Sequence, residues 1–333
     1  MENKREFVKL TSSEIALLWT TYTNDSIVSC LLTHFIETAE DPEVNQILKQ
    51  ALNIAEAHML SVRTLFEKEG IAIPHAFPIE QHVIPHAPRL FSDVMYAELL
   101  KHICSFGLAS HTSGVATAPR EDVRTLYEQF FKDTSSLNNR VIETMKSKGI
   151  LIRMPNMEYP KHVEMLHKQH FLAGWVGRQR TLMAIEVTHL TACSLHNVMG
   201  KHLCMAFAQV TNDVDLRKYF LRGKKVSTDI VRDIHDVLVE SDVPIPSTWD
   251  ATISTSTTAP FSNQLMMVLI GTISNLGISS YGVGMSTSMR RDLGALYADF
   301  IRKASFYGED GMNIMISREW IEQPPTFVDH EAL

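Results

Sequence analysis

The sequence holds no Cys-x-x-Cys pair, no long run of like charge, no nucleophile elbow, no phosphate-binding glycine loop and no apolar run long enough to span a bilayer. Each absence removes a class of protein. Cys30, Cys104, Cys193 and Cys204 lie singly in apolar helical stretches, as small buried thiols of a reducing compartment do. Acidic and basic residues interleave to a formal charge of −7 without a basic stripe, so nucleic acid is not an expected partner. The first residues, Met1-Glu2-Asn3-Lys4-Arg5-Glu6, lack the apolar core of a secretory signal. The longest apolar stretch, Gln264 to Ile273, is too short for a membrane helix. These features predict a cytoplasmic protein. Glycine (15) and proline (13) are sparse among 333 residues and 45% are apolar, enough to bury a sizeable core in each of about two domains.

What the chain does have, it has twice. Ile103, Gly107, Ser110, Gly114, Thr117, Arg120, Asp122, Tyr127 and Phe130 recur 170 residues later as Ile273, Gly277, Ser280, Gly284, Thr287, Arg290, Asp292, Tyr297 and Phe300. Upstream the offset is 172: Glu14 matches Glu186, Phe35 matches Phe207 and Ile73-Pro74 matches Ile245-Pro246. The two-residue change falls between Pro74 and Phe91, in a loop where insertions cost little. Two copies of one unit account for the length of the chain. The organisation expected is a first domain over 1–158, a linker and lead-in helix over 159–181, and a second domain over 182–333.

Each copy carries four long helical patterns. In the first, Ser12 or Ser13 can cap a helix to Thr38, and Asp41-Pro42 opens another that Gly70 ends. Val44, Ile47, Ala51, Ala55, His58, Val62 and Leu65 form its apolar stripe. The third pattern runs from about Ser92 to Val115 and the fourth from about Asp122 to Gly149. In the second copy the patterns fall near 183–211, 213–240, 262–286 and 290–318. Between the second and third patterns lie some twenty residues with Pro74, Pro78, Pro85 and Pro88. An up-down bundle needs only a few residues there; an extended loop of that length runs the whole bundle and restarts the chain at its far end. The fold expected is all-α: two tandem ferritin-like four-helix bundles, each with one long crossover loop. Gly107 and Gly114 share a helix face, which predicts a neighbouring helix backbone in close approach.

A ferritin-like bundle raises the question of a di-metal site, which takes Glu-x-x-His from two helices and a Glu from each of two others. Glu186-Val187-Thr188-His189 fits that spacing but has no partners of the right kind. Counting helical levels from the bundle ends instead puts Asp25, His58 and His111 in one interior layer, level with Tyr127 and Glu128 of the fourth helix. Imidazole with carboxylate suits a divalent metal. The matching residues of the second copy are Asn197, Ile230 and Tyr281, so any site belongs to the first bundle. The histidine-rich stretch 161–170, where Glu164, His167 and His170 would line one side of a helix, lies in the linker and reads as a solvated segment. Arg120, Asp122, Tyr127 and their repeats read as scaffold.

Phe91-Ser92-Asp93, Met289-Arg290-Arg291-Asp292-Leu293, Glu309-Asp310-Gly311-Met312-Asn313-Ile314-Met315-Ile316 and Trp320-Ile321-Glu322-Gln323-Pro324-Pro325 resemble a tandem-repeat family of unknown function from spore-forming Gram-positive bacteria. The resemblance covers nearly the whole chain. It implies a ferritin-like fold distantly similar to the spore coat F proteins, a structural or spore-associated role, and no catalytic residues or cofactor. A non-enzymatic protein with protein partners or self-association is therefore expected, cytoplasmic and incorporated into the spore. The alternative is a metal- or small-ligand-binding bundle.

Overall fold

Thr11, not Ser12 or Ser13, caps the first helix: its hydroxyl accepts the Glu14 N–H and the Glu14 carboxylate accepts the Thr11 N–H, a reciprocal capping box. The computed structural model describes residues 8–166, 169–174, 179–246 and 253–330. Among these every regular element is a helix, and isolated bridge positions such as the antiparallel pair Val83 and Phe261 lie in the connections.

The helices are α1 (Ser12–Thr38), α2 (Pro42–Glu69), the short α3 (Ile79–His82), α4 (Asp93–Thr117), α5 (Glu121–Ser147), α6 (Ala184–Val210), α7 (Val214–Glu240), α8 (Asn263–Thr287) and α9 (Arg291–Ser317). Local chemistry sets their ends. Asp41 accepts from the N–H groups of Glu43 and Val44 with Pro42 at the first helical position, and Gly70 closes α2 at φ 69°, where a side chain would be strained. Asp213 and Ser92 cap α7 and α4 in the same way. The expected lead-in helix over 159–181 does not form among the described residues, which hold only a 3-10 turn at Gln169–Leu172. That stretch has no apolar stripe to bury, and helix propensity alone rarely sustains so short a segment.

The chain divides into two units, Met1–Leu151 with Pro260–Leu265 and Glu319–Leu333, and Ile152–Ala259 with Met266–Arg318. The division follows the repeats except that Pro260–Leu265 and the segment trailing each copy cluster with the other unit. In the first unit the trailing segment clamps the crossover loop. The Glu322 carboxylate accepts the N–H groups of His75 and Ala76 at 2.7 and 3.0 Å, where Ala76 takes a left-handed φ of 52°.

Four contacts settle the topology of the first unit. Ser13 of α1 bonds to the Thr117 carbonyl at the end of α4, and Thr38 at the end of α1 bonds to Tyr96 at the start of α4. Asp93, opening α4, accepts the Glu40 and Asp41 N–H groups beside the start of α2. Arg120, opening α5, pairs with Glu69 at the end of α2. So α2 and α4 start at the same end, and the chain between them travels the bundle's length, about 40 Å at 1.5 Å per residue. This is the crossover arrangement. In the second unit Glu186 of α6 meets the start of α9, and Arg318 after α9 meets Asp213 before α7; α8 ends beside the start of α9, so it too begins at the end where α7 begins.

The cores correspond. Leu18, Val62, Val123, Tyr127 and Phe130 pack together in the first bundle; Leu190, Ile234, Leu293, Tyr297 and Phe300 occupy the matching places in the second. Each such side chain contributes about 1.5–3 kcal/mol by leaving water. By length and composition α8 is apolar enough to cross a membrane. In this fold it takes the place of α4, with Met266, Met267, Ile270 and Tyr281 buried.

Candidate functional site

The polar residues that recur serve the scaffold. Glu14, fully buried, accepts from Thr11 and from the Arg120 N–H at 3.0 Å, joining the start of α1 to the start of α5. Glu186 does the same for α6 and α9, accepting from Met183, Met289 and Arg290 and pairing with Arg180 at 2.7 Å. Arg120 and Arg290 each grip the Asp two residues on. The recurrent glycines answer to side chains, not to a neighbouring helix backbone as their spacing suggests. A methyl group at Gly114 would overlap ring atoms of Tyr127, and one at Gly284 ring atoms of Tyr297. At Gly107 the nearest atom is the Thr134 methyl at 3.1 Å, and at Gly277 the His196 imidazole at 3.1 Å.

The non-recurrent polar layer forms as the helical levels predict. His58 of α2 and His111 of α4 are 3% and 5% exposed, with perpendicular rings 5.5 Å apart between centres. Asp25 of α1 lies 3.4 Å from His58 Nδ1. The fourth helix contributes Asp133, not Glu128: its Oδ2 is 3.6 Å from His58 Nε2, and its Oδ1 accepts the Gln129 amide at 2.8 Å. Each of the four helices thus supplies one titratable group. Phe130 lies 4.0 Å below the His58 ring. Burial raises the Asp25 carboxyl above the usual carboxylate range against the pull of His58. Burial, and then His58, bring His111 down to about 4, so its ring is neutral near pH 7. Asp25 Oδ2, His58 Nε2 and His111 Nδ1 are buried without a hydrogen-bond partner. Such groups cost about 1–3 kcal/mol each, which marks this layer as one the fold does not need. Asp25 and Asp133 face opposite nitrogens of His58, and among the described residues no three His, Cys, Asp or Glu side chains are placed to hold one metal ion.

The second bundle resolves the same layer differently. Asn197 and Tyr281, at the places of Asp25 and His111, bond to each other at 2.8 and 3.0 Å, and the Asn197 amide also donates to the Cys193 carbonyl. Ile230 replaces His58, and Lys303, paired with Asp233 and Asp299, replaces Asp133. Beside this satisfied layer is a cavity of about 40 Å³, lined by His196, Gly200, Gly223, Gly277 and Ala304 among others and by no Asp, Glu, Lys or Arg. That volume has room for about three waters at about 10–15 Å³ each. Sequence matching missed it because Gly200 and Ala304 have no counterpart glycine or alanine; Val28 and Thr134 fill those places in the first copy.

Burial pushes all four cysteine thiols up to about 12. In the linker Glu164 is exposed on non-helical chain, while His167 and the His170 side chain lie outside the described residues. His34, fully buried with both ring nitrogens unpartnered, is brought down to about 4 by burial, with Glu37 opposing. Its folded value lies below the unfolded 6.5, so the unfolded chain binds the extra proton. The stability that neutral His34 supplies is therefore complete above about pH 6.5 and is lost as pH falls toward 4, by up to about 3 kcal/mol. Urea unfolding across that window should show the slope, and His34→Ala, matching Ala206, should flatten it; an unchanged slope would assign it to other groups.

Comparison with known proteins places this architecture. A family model described as "Protein of unknown function (DUF3231)" matches residues 2–163 and again 170–333. The chain belongs to that family and carries two copies of its domain. The uncharacterized protein YvdQ of Bacillus subtilis (strain 168) is 23% identical over 128 residues, covering 37% of this chain and 74% of that protein. A crystal structure of a candidate spore coat protein from Bacillus halodurans C-125 aligns with 48% of this chain and 100% of its own, at 19% identity and a TM-score of 0.40.

Proposed function

We propose that this member of the DUF3231 family is a non-enzymatic structural or interaction protein associated with sporulation or the spore coat. The observation that carries this is how the two copies use their shared polar residues: Glu14 and Glu186, with the chain around Arg120 and Arg290, tie helix starts together in both. Such residues hold a shape. The thiols, pushed up to about 12, are poor nucleophiles. The resemblance to proteins of spore-forming bacteria supplies the setting. Fractionation of sporulating cells tests it: the protein should accumulate during sporulation and extract with the coat, and equal amounts in vegetative cytosol throughout growth would defeat the proposal.

A second reading has its own support. The unpartnered nitrogens of His58 and His111, beside two carboxylates, favour a divalent-metal site in the first bundle. Metal analysis of protein purified without added metal tests it. About one ion per chain supports the site; a metal-free protein that also takes up none on titration removes it.

A further inference from the structure

We infer that the cavity of the second bundle is a binding site for a small neutral alcohol of about three or four non-hydrogen atoms, with the Ser227 hydroxyl as its polar anchor.

The size and charge of the occupant follow from the walls. Room for about three waters, each about 30 Å³ in the liquid, is the bulk of such a molecule. All four helices line the space: Gly200 comes from α6, Ser227 from α7, Ile270 and Gly277 from α8, and Ala304 from α9. No Asp, Glu, Lys or Arg faces it, so a charged ligand would be buried without a partner. Ser227, Ile273 and Ser274 are partly exposed, which puts the way in between α7 and α8.

The space is kept open against helix propensity. Two of its glycines are dictated by their neighbours: a methyl group at Gly223 would overlap Tyr307 Oη, and one at Gly277 would stand 3.1 Å from His196 Nε2. Gly200 is not so dictated. A methyl group there would meet Ser227 Oγ at 3.4 Å and Ile273 Cγ2 at 3.9 Å, which are ordinary contact distances. Alanine is favoured over glycine in a helix interior by about fivefold, and its methyl group would fill part of the void as well. The first copy has Val28 at this place, and apolar Ala55 and Leu137 where the second has Ser227 and Tyr307.

The polar groups divide in the same way. Asn197 and Tyr281 bond to each other and form a satisfied wall. Ser274 returns its hydroxyl to the Ile270 carbonyl at 2.8 Å. Ser227 instead faces Gly200 across the cavity, and its hydroxyl has no hydrogen-bond partner among the described residues. An alcohol hydroxyl would pair with Ser227 Oγ while its carbons lie against Ile270 and Ile273. The ceiling on binding per non-hydrogen atom holds Kd for so small a ligand at about 0.1 mM or weaker, so the site responds to millimolar concentrations.

The test titrates the full-length chain with millimolar 2-propanol and, separately, with xenon, which apolar cavities hold. Binding is read from isoleucine methyl NMR shifts. The expected result in the wild type is saturable shifts at Ile230, Ile270 and Ile273 with both probes. Gly200→Ala should weaken 2-propanol at least about tenfold and raise the thermal midpoint by about 2–4 °C. Ser227→Ala, which matches Ala55, should keep xenon and weaken 2-propanol about tenfold. Shifts that never saturate, or that are unchanged in Gly200→Ala, would mean that the cavity takes water only. Xenon binding without 2-propanol binding, or equal 2-propanol binding in Ser227→Ala, would overturn the alcohol assignment. A lower midpoint in Gly200→Ala would show that the fold itself requires the glycine, and would remove the argument for a ligand.

Discussion

Glu186→Ala should cost about 3–5 kcal/mol, the largest loss expected from any single polar substitution in the chain. Glu186 is fully buried and pairs with Arg180 through two contacts of 2.7 Å while accepting N–H groups from Met183, Met289 and Arg290. Truncation leaves a partly buried guanidinium without its charge partner and uncaps the start of α9, and breaking a buried pair from one side carries a cost of this size. Burial alone would raise the Glu186 carboxyl; Arg180 and the N–H groups outweigh it and hold it below the ordinary carboxylate value of 4.5. The folded value is thus the lower one. Stability from this group is complete above about pH 4.5 and is lost in stronger acid. Glu186→Ala should remove that acid-labile part along with the rest. Urea unfolding monitored by circular dichroism gives the loss; a change below about 1 kcal/mol would mean that the junction of α6 and α9 is held by something else.

Gly114→Ala and Gly284→Ala should each destabilise by about 1–3 kcal/mol, against the usual rule for glycine in a helix. Alanine is ordinarily favoured there by up to about 1 kcal/mol. At Gly308, where a methyl group would meet nothing within 4 Å, that rule should hold and Gly308→Ala should stabilise. At Gly114 and Gly284 the new methyl group overlaps ring atoms of Tyr127 and Tyr297, and both rings are fully buried in the packed core. The opposite signs separate a close contact from a propensity effect. Tyr127→Leu should absorb much of the Gly114→Ala penalty, giving a favourable coupling in the double mutant. Stabilisation at all three glycines would show that the tyrosine contacts do not constrain the helix.

Much of the fold was legible because local signals and global layout agree. Asp41-Pro42 and Gly70 mark the ends of α2 within a residue. The long proline-bearing connection forced the crossover, since no shorter path joins the end of α2 to the start of α4. The Asp25, His58 and His111 layer was legible because helical rise converts residue counts into height. Asp133 was not. It sits beside the apolar stripe of α5, between Phe130 and Thr134, and only its side-chain direction brings it to His58. Its one sequence signal is the exchange for Lys303 in the second copy. The cavity of the second bundle was invisible for a different reason. It comes from volume removed at Gly200 and Ala304, where the repeats differ, while attention to shared residues selects what is alike. The glycine face was seen but its cause was not, because spacing cannot tell a tyrosine ring from a helix backbone.

The central claim is that the copies share a scaffold and that the first bundle keeps an unsatisfied interior layer the scaffold does not need. The most direct measurement grafts the second copy's solution onto the first, Asp25→Asn, His58→Ile and His111→Tyr with Thr134→Ala to make room, and follows metal-free protein through urea unfolding. An asparagine–tyrosine pair and an isoleucine then replace three unpartnered buried atoms, so the graft should unfold at higher urea, by about 1–3 kcal/mol, with an unchanged slope. A graft less stable than the parent by a similar amount would show that the histidine layer holds the first bundle together, and would contradict the account.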